Sequence, residues 1–117
     1  MRVLIVEDEW LVAEDLEYEI QDAGHEVTGI ARTMAEAVSE AESVRPDVAV
    51  MDIRLANGDN VVDVARKLKS EFDVRCIFAS GTLSDQVDAI REFDPDPLAL
   101  LSKPVHKRDL LAALDRA

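Results

Sequence analysis

Short apolar runs alternate with segments of helical period from one end of this chain to the other, and that alternation limits the folds open to it. The runs are Val3 to Val6, Val27 to Ala31, Asp47 to Asp52, Val74 to Ala79 and Leu98 to Leu101. Between them, apolar residues recur every three or four positions: Ala13, Leu16, Ile20 and Ala23, then Met34, Val38, Ala41 and Val44, then Val61, Val64, Ala65 and Leu68. Gly24 stops the first of these helices, and the third closes near Ser70. Thr82 with Asp85 forms a capping box for a short helix carrying Val87 and Ile90, which Asp94-Pro95-Asp96-Pro97 breaks. Leu110, Leu111 and Leu114 mark the buried side of a final helix.

Strands alternating with helices over short links predict an α/β fold, a five-stranded parallel sheet covered on both faces by five helices. Right-handed crossovers leave few topologies. Thr28 and Gly29 make the second strand the weakest, so it belongs at an edge. The strand order 2-1-3-4-5 follows, with its switch point between strands 1 and 3.

The length of 117 residues suits one domain, 1-117, and no apolar run approaches the roughly 20 residues of a membrane span. Met1-Arg2 leads into a strand without a signal-peptide pattern, and Cys76 has no partner for a disulfide, so a cytoplasmic, membrane-free address is expected. Asp and Glu number 25 against 13 Lys and Arg, a formal charge of -12. Such a surface repels phosphate backbones, which argues against direct nucleic-acid binding.

The chemistry collects where the strands end. Strand 1 delivers Glu7 and Asp8, strand 3 Asp52, strand 4 Ser80 and strand 5 Lys103. These ends share one rim, where open α/β sheets place their ligands. Carboxylates this close repel each other, and a hard divalent cation with oxygen ligands relieves the repulsion. Mg2+ is the first expectation, with Asp8 and Asp52 as direct ligands and Glu7 acting directly or through water. Asp52 is positioned as a nucleophile toward phosphorus, with Lys103 neutralising one phosphoryl oxygen and the Ser80 hydroxyl bonding another. Four acids and no phosphate-cradling glycine loop argue against an FMN site. His25 and His106 have no companion at metal-ligand spacing and are expected at the surface, Cys76 in the core, and Trp10, next to the acids, either as a packing residue at a helix start or as a rim residue touching a partner.

The start Val-Leu-Ile-Val-Glu-Asp-Glu, the central Met-Asp-Ile-Arg-Leu, and Phe-Ala-Ser-Gly and Leu-Leu-Ser-Lys-Pro near the end resemble the receiver domain of two-component response regulators. The resemblance covers the whole chain. It implies Mg2+-dependent phosphoryl transfer from a histidine kinase or histidine phosphotransferase to Asp52, and no catalysis beyond the chain's own phosphorylation and dephosphorylation. It further implies that the Arg54 backbone carbonyl is a metal ligand and that the Lys103-Pro104 bond is cis. Phosphorylation would be read by protein-protein interaction on the face made by the Thr82 helix, the last strand and the last helix, with a phosphorylation-dependent homodimer as a further option.

Three positions depart from the family pattern. Leu100 stands where most receivers carry an aromatic switch residue, Ala56 replaces a proline and Asn60 a glycine. Asparagine tolerates a left-handed backbone better than other non-glycine residues, so the loop is expected to survive with altered shape. Phe-Ala-Ser-Gly-Thr is similar to the Phe-Ala-Thr-Gly pattern of some stand-alone alphaproteobacterial receivers. Two other readings compete: a Mg2+-dependent phosphohydrolase with Asp52 as nucleophile, and a phosphorylation-independent adaptor, for which Leu100 is the support.

Overall fold

The structure, a computed structural model, describes residues 1–52, 60–80, 99–102 and 105–117, with backbone alone at Ser80, Ala99 and Ser102. Five parallel strands, β1 (Arg2–Val6), β2 (Glu26–Ala31), β3 (Val48–Asp52), β4 (Arg75–Ser80) and β5 (Ala99–Ser102), lie in the order β2-β1-β3-β4-β5. Four helices are present among the described residues: α1 (Trp10–Asp22), α2 (Met34–Ser43), α3 (Val61–Phe72) and α4 (Lys107–Asp115). The helix expected from Thr82 lies outside them. No helix among the described residues is long and apolar enough to cross a membrane.

The two-residue period of the strands divides the core. Val3, Ile5, Val48, Val50 and Ile77 pack with Ala13, Leu16 and Ile20 of α1 and with Leu110, Ala113 and Leu114 of α4. Leu4, Val6, Ala49, Met51, Cys76 and Phe78 face the other way, onto Ala37 and Ala41 of α2 and Val61, Val64, Ala65 and Leu68 of α3. Every residue of β3 is buried, as its unbroken apolar run requires of a central parallel strand. β2 is only half-buried and sits at the edge. Its pairing with β1 skips Thr28, Val3 facing Val27 and Leu4 facing Gly29, and the carboxylate of Glu40 lies over Gly29 where a side chain would stand.

Local chemistry sets the helix limits. Gly24 follows α1 at φ +92, a conformation cheap only for glycine. At α2, the Thr33 hydroxyl accepts from the Glu36 N–H at 3.2 Å, and the Glu36 carboxylate accepts from the Arg32 N–H at 3.1 Å. α3 runs to Phe72, two residues past the expected Ser70, because Asp73 adopts the left-handed conformation (φ 56) and returns its N–H to the carbonyls of Leu68 and Lys69.

Asn60 makes no use of its tolerance for a left-handed backbone. Its backbone is extended (φ -81, ψ 120) and its side chain accepts the Val62 N–H at 2.8 Å, so Asn60 caps α3. Asn60→Ala is expected to lower stability by about 1 kcal/mol and Asn60→Gly by only a few tenths. Urea unfolding of the three chains measures both, and an alanine variant as stable as the parent would contradict the cap.

Lys107 Nζ donates to Asp22 Oδ2 at 2.8 Å and ties α4 to α1 at the surface. That hydrogen bond, with the charge of Asp22 behind it, raises the lysine's pKa. The contribution is therefore complete at neutral pH and is lost only as alkaline pH passes the raised value. Exposure keeps it small.

Candidate functional site

Parallel pairing aligns the ends of the central strands. Val6 stands opposite Met51, so the next residues along, Glu7 and Asp52, emerge side by side at the rim. Asp52 is itself paired with Ala79 of β4, and Ser80 with Ser102 of β5, so the carboxyl ends of all four strands follow one line. Glu7 is fixed from the other side as well: its N–H donates to the Ala31 carbonyl at the end of β2, at 2.8 Å.

The cluster has little access to water. Glu7 is 2% exposed and Asp52 6%, while Asp8 is half-buried and gives the group its opening. One carboxylate oxygen from each of Glu7, Asp8 and Asp52 lies within 4.8 Å of the others. At that separation two unit charges repel by about 3.5 kcal/mol for an effective dielectric near 20. Three converging carboxylate oxygens are the donor set of a hard cation such as Mg2+, which takes one or two carboxylates and completes its shell with water and phosphate oxygens. The residues therefore fit the cation expected from the sequence.

The structure thus brings together Glu7, Asp8 and Asp52. Lys103, Arg54 and the Ser80 side chain lie outside the described residues. Arg32 and Thr33, which follow the edge strand β2, serve the start of α2. Cys76 is buried in the core between β4 and α3, as expected of a lone apolar thiol. His106 is exposed before α4, and His25 is half-buried, with its Nδ1 3.1 Å from the chain's terminal amine at the surface.

Of the two readings of Trp10, packing at the helix start is not met: the residue is 69% exposed. The Ala31 carbonyl, which positions Glu7, could not be found from residue types, since any residue supplies a carbonyl. Only the register of the edge strand points to it.

The sequence model of the response regulator receiver domain matches residues 3–115. The chain is 38% identical over 116 residues to the phyllosphere-induced regulator PhyR of Methylorubrum extorquens, covering 98% of this chain and 42% of that protein. It spans about half the length of the curated relatives it matches. The signal receiver domain of a modulated diguanylate cyclase from Desulfovibrio desulfuricans superposes with a TM-score of 0.89 at 30% identity, over 99% of this chain and 91% of that one. The receiver domain of the Erythrobacter litoralis PhyR response regulator gives 0.87 at 29% identity, over 98% and 87%.

Proposed function

Because the chain belongs to the response regulator receiver domain family, we propose that Asp52 accepts a phosphoryl group from the phosphohistidine of a histidine kinase or histidine phosphotransferase. The observation that carries this is the buried, three-carboxylate rim with Asp52 on its central strand. A carboxylate oxygen of Asp52 attacks phosphorus, an acyl phosphate bond forms, and the phosphorus-nitrogen bond of the donor imidazole breaks, its electron pair leaving with the nitrogen.

Glu7, Asp8 and Asp52 would hold Mg2+, with the Arg54 carbonyl as a further ligand. The cation supplies charge neutralisation for phosphoryl oxygens. Burial of Asp52 excludes competing water while the half-exposed Asp8 leaves room for the donor. Lys103 and the Ser80 hydroxyl are assigned to the remaining phosphoryl oxygens. Cytoplasmic placement belongs to this reading, as does a signalling output through protein partners instead of turnover of a metabolite.

Incubation with acetyl phosphate and Mg2+ tests the assignment. The expected result is one added phosphoryl group by intact mass, mapped to the peptide containing Asp52 and removed by hydroxylamine. A chain that stays unlabelled by acetyl phosphate and by phosphohistidine donors alike would overturn it. Steady release of phosphate from small esters would favour the hydrolase, and partner binding indifferent to Asp52→Asn would favour the adaptor.

A further inference from the structure

Besides Met1, the exposed large apolar side chains among the described residues fall at two places of opposite electrostatic character. Trp10, Leu11 and Tyr18, which are 69%, 68% and 70% exposed, belong to α1. At 3.6 residues per turn they occupy about 100° of its surface over about 12 Å of its axis. Glu14, Asp15 and Asp22 are exposed beside them, and α1 contains no lysine or arginine. Val44, 40% exposed, follows α2. Next to it, Arg45 Nε donates to the Phe72 carbonyl at 2.7 Å, which brings this corner against the end of α3 and its half-buried Phe72. Lys69 in the last turn of α3 and Arg75 at the start of β4 flank the same end.

Charge selects the occupant. α3 carries Arg66, Lys67 and Lys69 against Asp63 and Glu71, a net charge of +1, where α1 has five acids and no cation. An apolar stripe among acids and a smaller apolar patch among cations are complements carried by one chain. Two α1 stripes are not, since acid would meet acid, and anionic lipid and nucleic acid are repelled for the same reason. α1 packs on one face of the sheet and α3 on the other. Each copy can therefore sit on one neighbour and seat another, so the contact passes head to tail without closing on a pair. The formal charge of -12 opposes the approach of whole copies. At physiological salt, however, such a field decays over about 8 Å, which is short beside extents of 32, 29 and 26 Å, so the charges at the contact decide.

We propose that the chain associates with itself head to tail, the Trp10, Leu11 and Tyr18 stripe of one copy seated on the Val44 and Phe72 patch of the next. The aromatic side chains supply most of the binding, and the charges around them fix which face meets which. A contact area this small belongs to the weak and transient class, with a dissociation constant on the order of 100 µM. Association of this kind is independent of the chemistry at Asp52.

Sedimentation velocity at physiological salt, from about 10 µM to about 1 mM chain, tests this. The weight-average mass is expected to rise with concentration past that of two copies, because a head-to-tail series has no natural end. Trp10→Ala with Tyr18→Ala damages one face, and Val44→Glu with Lys69→Glu the other. Each double variant should weaken association by about tenfold or more. Each still keeps one sound face, so their equimolar mixture should form pairs and nothing larger, a result that misfolding of either variant would not produce. Far-ultraviolet circular dichroism checks folding, and Tyr18→Ala and Val44→Ala alone take the place of any double variant that loses it. A parent chain that keeps its single-chain mass at the highest concentration would overturn the proposal and leave the α1 stripe to a different protein. A parent that stops at two copies, variants that associate as the parent does, or a mixture of folded variants that stays monomeric would overturn it equally.

Discussion

Replacing Asp52 with asparagine is expected to abolish labelling by acyl phosphate and, in solutions free of divalent cations, to make the fold more stable. The first effect is chemical: the amide keeps the shape of the side chain but lacks the anionic oxygen that attacks phosphorus, so labelling should fall by about two orders of magnitude or to background. The second follows from geometry. Asp52 shares a space of 4.8 Å with Glu7 and Asp8, and it is 6% exposed, so water screens its repulsions poorly. Removing its charge relieves both pairs at once.

With part of the repulsion screened through the open side at Asp8, a gain of about 1–3 kcal/mol is expected. For a domain of this size that raises Tm by about 4 °C per kcal/mol. Thermal melts in EDTA measure it. With saturating Mg2+ the advantage should shrink, because the parent then gains a ligand that the variant binds less well. A metal-free Asp52→Asn chain that melts at or below the parent temperature would show that the carboxylates do not oppose folding.

The second large effect concerns the cation. Mg2+ at about one hundred times its dissociation constant should stabilise the parent chain by about 2.7 kcal/mol, and withdrawing it with EDTA should stop labelling by acetyl phosphate. Asp8→Asn is expected to remove most of that stabilisation and to slow labelling by at least about tenfold at Mg2+ concentrations that saturate the parent. Glu7→Gln should weaken the response less if its contact passes through water, and as much as Asp8→Asn if it binds directly. Titrations followed by Tm separate these outcomes. A parent chain whose melting and labelling ignore Mg2+ would remove the cation from the site.

Much of this was legible in the residues because the features concerned are set by local rules. Val48 to Met51 could be nothing but a doubly covered strand, and Thr28 with Gly29 marked the edge. Gly29 owes its place to more than a weak strand, since the Glu40 carboxylate from α2 occupies the space above it, a contact between elements that no local rule contains. The cap at Asn60 was missed because the residue was weighed only as a substitute for the glycine of related sequences. Its own context, an asparagine followed by the apolar pair Val61-Val62 and then Asp63, is that of a helix cap. The packing reading of Trp10, one of two, came from its place at the start of a helix. Trp10 precedes Ala13 by three residues, but the helix turns it about 120° from Leu16, past the limit of the buried stripe. The carboxylate group was readable because strand order alone decides which loops meet.

The hydrogen bond from Glu7 to Ala31 fastens a prospective cation ligand to an edge strand, which has a single neighbour in the sheet. Fraying at the border, the cheapest excursion available to such a sheet, would loosen that ligand without touching the hydrophobic interior. Ion affinity and the opening rate of amides along residues 26–31 should then rise and fall in opposite senses, whichever of the two is perturbed.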